Sequence, residues 1–379
     1  MSIRYCRHVK RLVLAVTLVA CKGNRSESTP PPVVEAAPAR LDASPAPAAP
    51  RRNVSVRVDR RVELVSIVQR LAGAPEYRKA STNIPYVAAV DAWFAPYKDH
   101  PAVRDAIEDR RHHGISFDAP MWLAIHLDDQ LAPVNPDELP TLDPRFARID
   151  VAQRAAKLRA FADEARLDEF LASQRTYLAG LEGPLTDLLA KEDPVAWFDG
   201  VFGPTSARFV VVPGPLTGTM NYGPHARRSD GTEERYQILQ VGREGAIVVD
   251  DMLVGLLVHE MAHSYINPVF AKHRDALAAP ARRVFERVAR AMEAQNYKAP
   301  HVMVDESAVR AAVVMYMHDR KGAASGAAAL RDEVNRSFTW TPEFVELLRE
   351  LQRGETHDLD AFMPRVIAFW NGLAMPRGR

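Results

Sequence analysis

Cysteine is nearly absent from this chain. Of 379 residues only Cys6 and Cys21 carry a thiol, and both lie near the N-terminus. A disulfide framework is therefore excluded from everything that follows them. Charge of one sign is also lacking: 49 Lys and Arg face 48 Asp and Glu, for a net charge of +1. No basic cluster stands out after Arg52, so nothing points to nucleic acid. The apolar run from Leu12 to Ala20 falls well short of the about 20 residues that span a bilayer.

What that short run does suit is the core of a signal peptide, because it follows a basic segment from Arg4 to Arg11. It ends in Leu18-Val19-Ala20-Cys21, which looks like the lipobox of bacterial lipoproteins, where a cysteine becomes lipidated and N-terminal. From Lys22 to Arg52 the sequence is rich in proline and alanine, with runs such as Thr29-Pro30-Pro31-Pro32, and cannot build a core. The expected division is a signal peptide over 1–20, a lipidated Cys21 with a tether over 21–53, and a folded domain over 54–379. Such a chain would sit in the bacterial envelope, held to a membrane by lipid, with its domain outside the cytoplasm. About 325 residues remain after the tether, enough for one large domain or two lobes around a cleft.

Within that domain His259-Glu260-Met261-Ala262-His263 forms an HExxH run, directly after the apolar stretch Met252 to Val258. On a helix the two histidines stand about 6 Å apart along the axis and about 40° apart around it, so both imidazoles can reach one ion. Glu260 can then hold a water and act as general base. Chance predicts about 0.02 such runs in a chain of this composition. Two surface histidines would be the plain alternative, but the surrounding positions are almost all apolar. Buried imidazoles need partners, and one metal ion satisfies both.

Strands are expected at Val54 to Val58, Arg208 to Val212, Tyr236 to Val241 and Ala246 to Val249, the last two joined as a hairpin through Gly242 to Gly245. Helices are expected over 62–71, 86–96 and 102–113, and over 147–190 as two helices broken near Gly180 to Pro184. Asp250 or Asp251 would cap the motif helix, and Pro268 would mark its end. Further helices are expected near 280–296, 305–319, 341–352 and 358–371. The fold class is α+β: a small, mainly antiparallel sheet, then the HExxH helix, then a helical C-terminal lobe. The helical N-terminal part would run over about 54–204 and the catalytic part over about 205–379.

That order resembles the zincin metallopeptidases. Val58-Asp59-Arg60-Arg61-Val62-Glu63-Leu64, Leu71-Ala72-Gly73, Asn221-Tyr222-Gly223, the HExxHSxxNP element from His259 to Pro268, and Glu306 with Arg310-Ala311 together resemble an uncharacterised family of secreted bacterial HExxH proteins. The resemblance spans Val54 to the C-terminus. It implies the fold and a metal site but no substrate.

A catalytic zinc usually takes three protein ligands and keeps one position open. Where some zincins place a third histidine this chain has Asn267, a poor zinc ligand, which suits a cap or a group that lies behind the metal ligands. The gluzincin layout takes a glutamate from a later helix, and Glu306 supplies one. Asp305, His301 and His273 are the alternatives, and an acid that merely favours a helix N-terminus is the plain reading. Arg310 shares a face with Glu306 and could orient it, bind a substrate carboxylate, stabilise an oxyanion, or form an ordinary surface ion pair. Tyr222 and His225 are candidate oxyanion donors or substrate contacts, and also plain loop residues. Tyr265 should pack beside the helix, and Ser264 has no visible base.

The preferred expectation is a lipid-anchored zinc metallopeptidase. Zn2+ would sit on His259, His263 and Glu306, with Glu260 as base and Arg310 and Tyr222 assisting. It would be a monomer acting on a peptide or protein substrate. The competing expectation is a non-catalytic envelope lipoprotein that keeps the site for binding or scaffolding.

Overall fold

A computed structural model describes residues 54–80, 83–295 and 297–375. The signal peptide, Cys21 and the tether lie outside them. The described chain is mixed α/β, 65% helical, with one small four-stranded sheet.

The strands are β1 (Val54–Val56), β2 (Arg208–Gly214), β3 (His225–Arg227) and β4 (Glu233–Gln240), in the order β1-β2-β4-β3. β1 pairs parallel with β2 (Val54 opposite Phe209), and β2 parallel with β4 (Val211 opposite Gln237). Only β3 runs antiparallel, with His225 opposite Arg235 on β4. The expected mainly antiparallel sheet is thus corrected to a mainly parallel one. The reason lies in β2. Phe209 and Val211 join one core, Val210 and Val212 the other, so the strand is buried on both faces. A strand packed on both sides reads as a continuous apolar run, which is the signature of parallel sheets.

Ala246 to Val249 forms no strand. β4 already has β2 on one side and the 222–227 segment on the other, so no edge is left for it. Gly242 N–H bonds Ala246 O in a tight turn, and Val248 and Val249 stay exposed.

Between β1 and β2 the chain runs through the N-terminal helices, from Arg60–Leu71 to Pro194–Phe202. Those up to Leu178 carry the core on one face of the sheet, whereas Leu185 and the helix Pro194–Phe202 join the core on the other. Asp59 opens the first helix by accepting from Arg61 N–H at 3.0 Å, and Arg61 reaches across to Tyr236 Oη on β4 at 2.9 Å. Gly114, at φ 69°, closes the helix Pro101–His113. The break expected near Gly180 to Pro184 lies earlier. Arg166 and Gln174 separate Val151–Glu164, Leu167–Ser173 and Arg175–Glu192, and the last helix continues through Pro184. Gly180 and Pro184 both face solvent, so the carbonyl that loses its N–H partner can be hydrated.

The opposite face of the sheet is covered by the motif helix Asp251–Lys272 and the helices packed on it. Asp250 caps it, accepting from Leu253 N–H at 2.8 Å. Pro268 does not end this helix: its ring is exposed and the helix runs one further turn. Pro300–Lys321 packs against the motif helix, followed by Ala323–Asn335, Thr341–Arg353 and Leu359–Ala374.

Candidate metal centre

Two 22-residue helices bring the site together. The motif helix supplies His259 and His263 from adjacent turns, their rings at 80° with centroids 4.9 Å apart. Pro300–Lys321 supplies Glu306. Because this helix starts at Pro300, Glu306 stands in its second turn and is buried, rather than at its start as expected. A general attraction to the helix N-terminus therefore does not account for it.

The donor atoms converge. His259 Nε2 lies 3.3 Å from His263 Nε2 and 3.6 Å from Glu306 Oε2, and His263 Nε2 lies 3.5 Å from Glu306 Oε1. A four-coordinate ion with bonds of about 2.0–2.2 Å separates its tetrahedral ligand atoms by about 3.3–3.6 Å. The three side chains fit such an ion, and they form a possible metal-binding triad.

Electrostatics agree with the geometry. Burial pushes the His259 imidazole well below its ordinary pKa, reinforced by His263 and Arg310, so the ring is neutral and offers a lone pair. His263 Nδ1 faces Asn267 Oδ1 at 3.2 Å. Donation to that oxygen would put the ring proton on Nδ1 and leave the Nε2 lone pair available to a metal ion. Asn267→Ala should therefore weaken metal binding about tenfold without abolishing it. Titration against a competing chelator checks this, and unchanged affinity would remove the role assigned to Asn267.

Charge points the same way. Glu306 and Glu333 both pair with one buried cation, Arg310, and Glu260 adds a further negative charge when ionised. Arg336 acts on His259 as a second positive charge, so the carboxylates outnumber the guanidinium groups when Glu260 is ionised, which favours a divalent cation among them.

Glu260 points toward the sheet side of the triad. Its Oε2 approaches Gly223 so closely that a Cβ there would lie at 3.0 Å. Glycine at this position leaves room for the carboxylate, a role the sequence did not announce. Burial raises the Glu260 pKa, opposed by His263 and assisted by Glu306.

Arg310 is fully buried and therefore neither a surface ion pair nor a group open to substrate. Its Nη2 donates to Tyr297 Oη at 2.6 Å and its Nη1 bonds Glu333. Of the three functional roles weighed for it, only the orientation of Glu306 fits this burial. Neither Tyr297 nor Glu333 is legible as a partner in the sequence, and the helix that carries Glu333 was not expected at all.

Tyr222 is not brought to the centre. It pairs with Ile238, and its ring packs on Tyr77 in the core on the other face of the sheet, with centroids 6.4 Å apart. The expectation of Tyr222 as an oxyanion donor is corrected: alternation along the strand turns its side chain away while presenting the next residue, Gly223, to Glu260. His225 sits against Trp122, and burial followed by Arg235 lowers its pKa to about 4. Asp305 forms an ion pair with Arg274, and His273 with Asp360, so these alternatives are engaged elsewhere. His301 is exposed. Tyr265 donates to Asp199 and stacks on Phe198. A separate cavity of about 380 Å³ at the start of β1 and β2, lined by Ser55, Arg57, Arg208 and Glu234 among others, contains none of the triad.

Fold and site together define a mixed α/β protein with a buried two-histidine, one-glutamate centre. The chain belongs to the family described as a domain of unknown function (DUF4932), which it matches over residues 54–369. No curated protein and no solved structure matches it.

Proposed function

We propose that this chain is a zinc-dependent peptidase of the gluzincin type. One observation carries the reading: three lone-pair donors converge at tetrahedral spacing beside a carboxylate, Glu260, that is not part of the triad. His259 Nε2, His263 Nε2 and Glu306 would hold the zinc, which when bound supplies Lewis acidity for the scissile carbonyl and for a water. Glu260 takes the proton of the attacking water and passes it to the leaving amine. The raised proton affinity of this carboxyl suits both halves of that task.

The edge of the sheet favours a peptide as substrate. Tyr222 and Pro224 direct their hydrogen bonds inward to β4, so Gly223 and His225 turn their N–H and C=O groups outward. An extended chain can add to this edge and lie alongside Glu260. The test is zinc content together with hydrolysis of a mixed peptide library. The expected result is about one zinc per chain, and hydrolysis that a chelator removes and added zinc restores. A protein that loads zinc yet leaves every peptide intact would favour the non-catalytic reading instead.

The membrane attachment is part of the same proposal and rests on Leu18-Val19-Ala20-Cys21 and the tether. Among the described residues no helix is long and apolar enough to cross a membrane. Cys21→Ser should therefore shift the protein from the membrane to the soluble fraction. Retention in the membrane fraction would assign the attachment to something other than Cys21.

A further inference from the structure

Glu306 is gripped from behind the triad. Tyr297 Oη stands 3.2 Å from Glu306 Oε2, and Arg310 Nη2 donates to that same hydroxyl at 2.6 Å. Because the hydroxyl accepts from a cation, its own proton is directed at Oε2. Arg310 Nε lies 3.5 Å from Oε2 as well. The guanidinium is itself fixed, bonded to Glu333 and seated 4.6 Å from the Phe338 ring centroid and 5.6 Å from that of Tyr297. All of this donor density falls on Oε2. Oε1 faces His263 Nε2 at 3.5 Å with no such donor behind it among the described residues; Oε2 faces His259 Nε2 at 3.6 Å, but its two lone pairs already meet the Tyr297 hydroxyl and Arg310 Nε.

We propose that Tyr297 is a positioning residue which, held by Arg310 and Glu333, engages Oε2 of Glu306 and leaves Oε1 as the single ligating oxygen. The inference rests on the triad being a metal centre. Its consequence is a matter of coordination number. A carboxylate that ligates through both oxygens fills a position that substrate or water needs, whereas a one-oxygen ligand leaves it open. In a metal-loaded centre the Tyr297 hydroxyl would thus leave that position open, and its effect on rate would pass entirely through Glu306.

Tyr297→Phe removes the hydroxyl and keeps the ring that packs edge-on against Phe338, with centroids 6.1 Å apart. Full-length protein loaded with cobalt(II) reports the coordination number directly, since four-coordinate cobalt absorbs visible light far more strongly than five-coordinate cobalt. The wild type should show the strong spectrum. Tyr297→Phe should bind one cobalt with a clearly weakened spectrum, and its zinc form should lose about tenfold or more in peptide hydrolysis. Arg310→Lys keeps the charge but loses the grip on Tyr297, and it should weaken the spectrum in the same way. It serves as the second variant if Tyr297→Phe does not fold. Spectra of unchanged intensity in a folded, cobalt-loaded variant would overturn the role of Tyr297 while leaving the metal centre intact. A wild type that takes up no cobalt or zinc would instead overturn the metal centre itself.

Discussion

Glu260→Gln should keep its zinc and lose peptide hydrolysis by about 10²–10⁴-fold. The amide has the size of the carboxylate and fits the same space against Gly223, where a Cβ would already stand at 3.0 Å from Oε2. Nothing in the triad is touched by the exchange. What disappears is a group that can take a proton, and burial has already raised the proton affinity of this one. Metal content by elemental analysis and turnover of a cleaved peptide check the two halves separately. Full activity in the zinc-loaded Glu260→Gln variant would remove Glu260 from the mechanism.

Glu306→Ala should act on the metal first and the rate second. Two imidazoles with Nε2 atoms 3.3 Å apart make a weak site alone, and the substitution removes the only carboxylate of the triad. It also strands Arg310 against Glu333 and Tyr297 without its other carboxylate. The expected outcome is loss of zinc under mild chelation, with a fall in affinity of about 10²-fold or more. Asp305→Ala is the control, because Asp305 bonds Arg274 and should leave zinc in place. Retention of tightly bound zinc by Glu306→Ala would exclude the gluzincin assignment and return the third ligand to an open question.

Much of this site is legible in the sequence because its chemistry is local. His259, Glu260 and His263 lie within five consecutive residues, and the apolar residues before them mark the helix. Glu306 is legible from the buried pattern around it. What cannot be read depends on contacts across the fold. Glu333 meets Arg310 from a helix rich in alanine, glycine and serine, whose pattern carries no strong period. Tyr297 looks like any loop tyrosine until the fold turns it onto Arg310. The sheet departs from expectation for a different reason. The unbroken run Phe209 to Val212 marks a buried strand, yet burial on both faces also implies parallel neighbours, and strand order along the chain hides that step. Pro184 and Pro268 resemble breaks where the helices in fact continue, because an exposed proline costs a hydrogen bond that water can replace. Tyr222 and Gly223 show how close the margin is: adjacent residues on one strand segment face opposite sides of the sheet.

The sheet also decides what can be inherited as a unit. All three triad residues lie beyond residue 250, which suggests a portable half that evolution could graft onto other partners. The parallel pairing of Val54 with Phe209 argues against this, since β1 belongs to the N-terminal end and β2 to the other half. Val210, Val212, Tyr236 and Ile238 would lose most of the core that covers them if the first helices were absent. The strand beside Glu260 would then show one greasy face to water and invite self-association. The two halves are obligate companions, and the lineage of the triad is tied to a helical segment that supplies none of its residues.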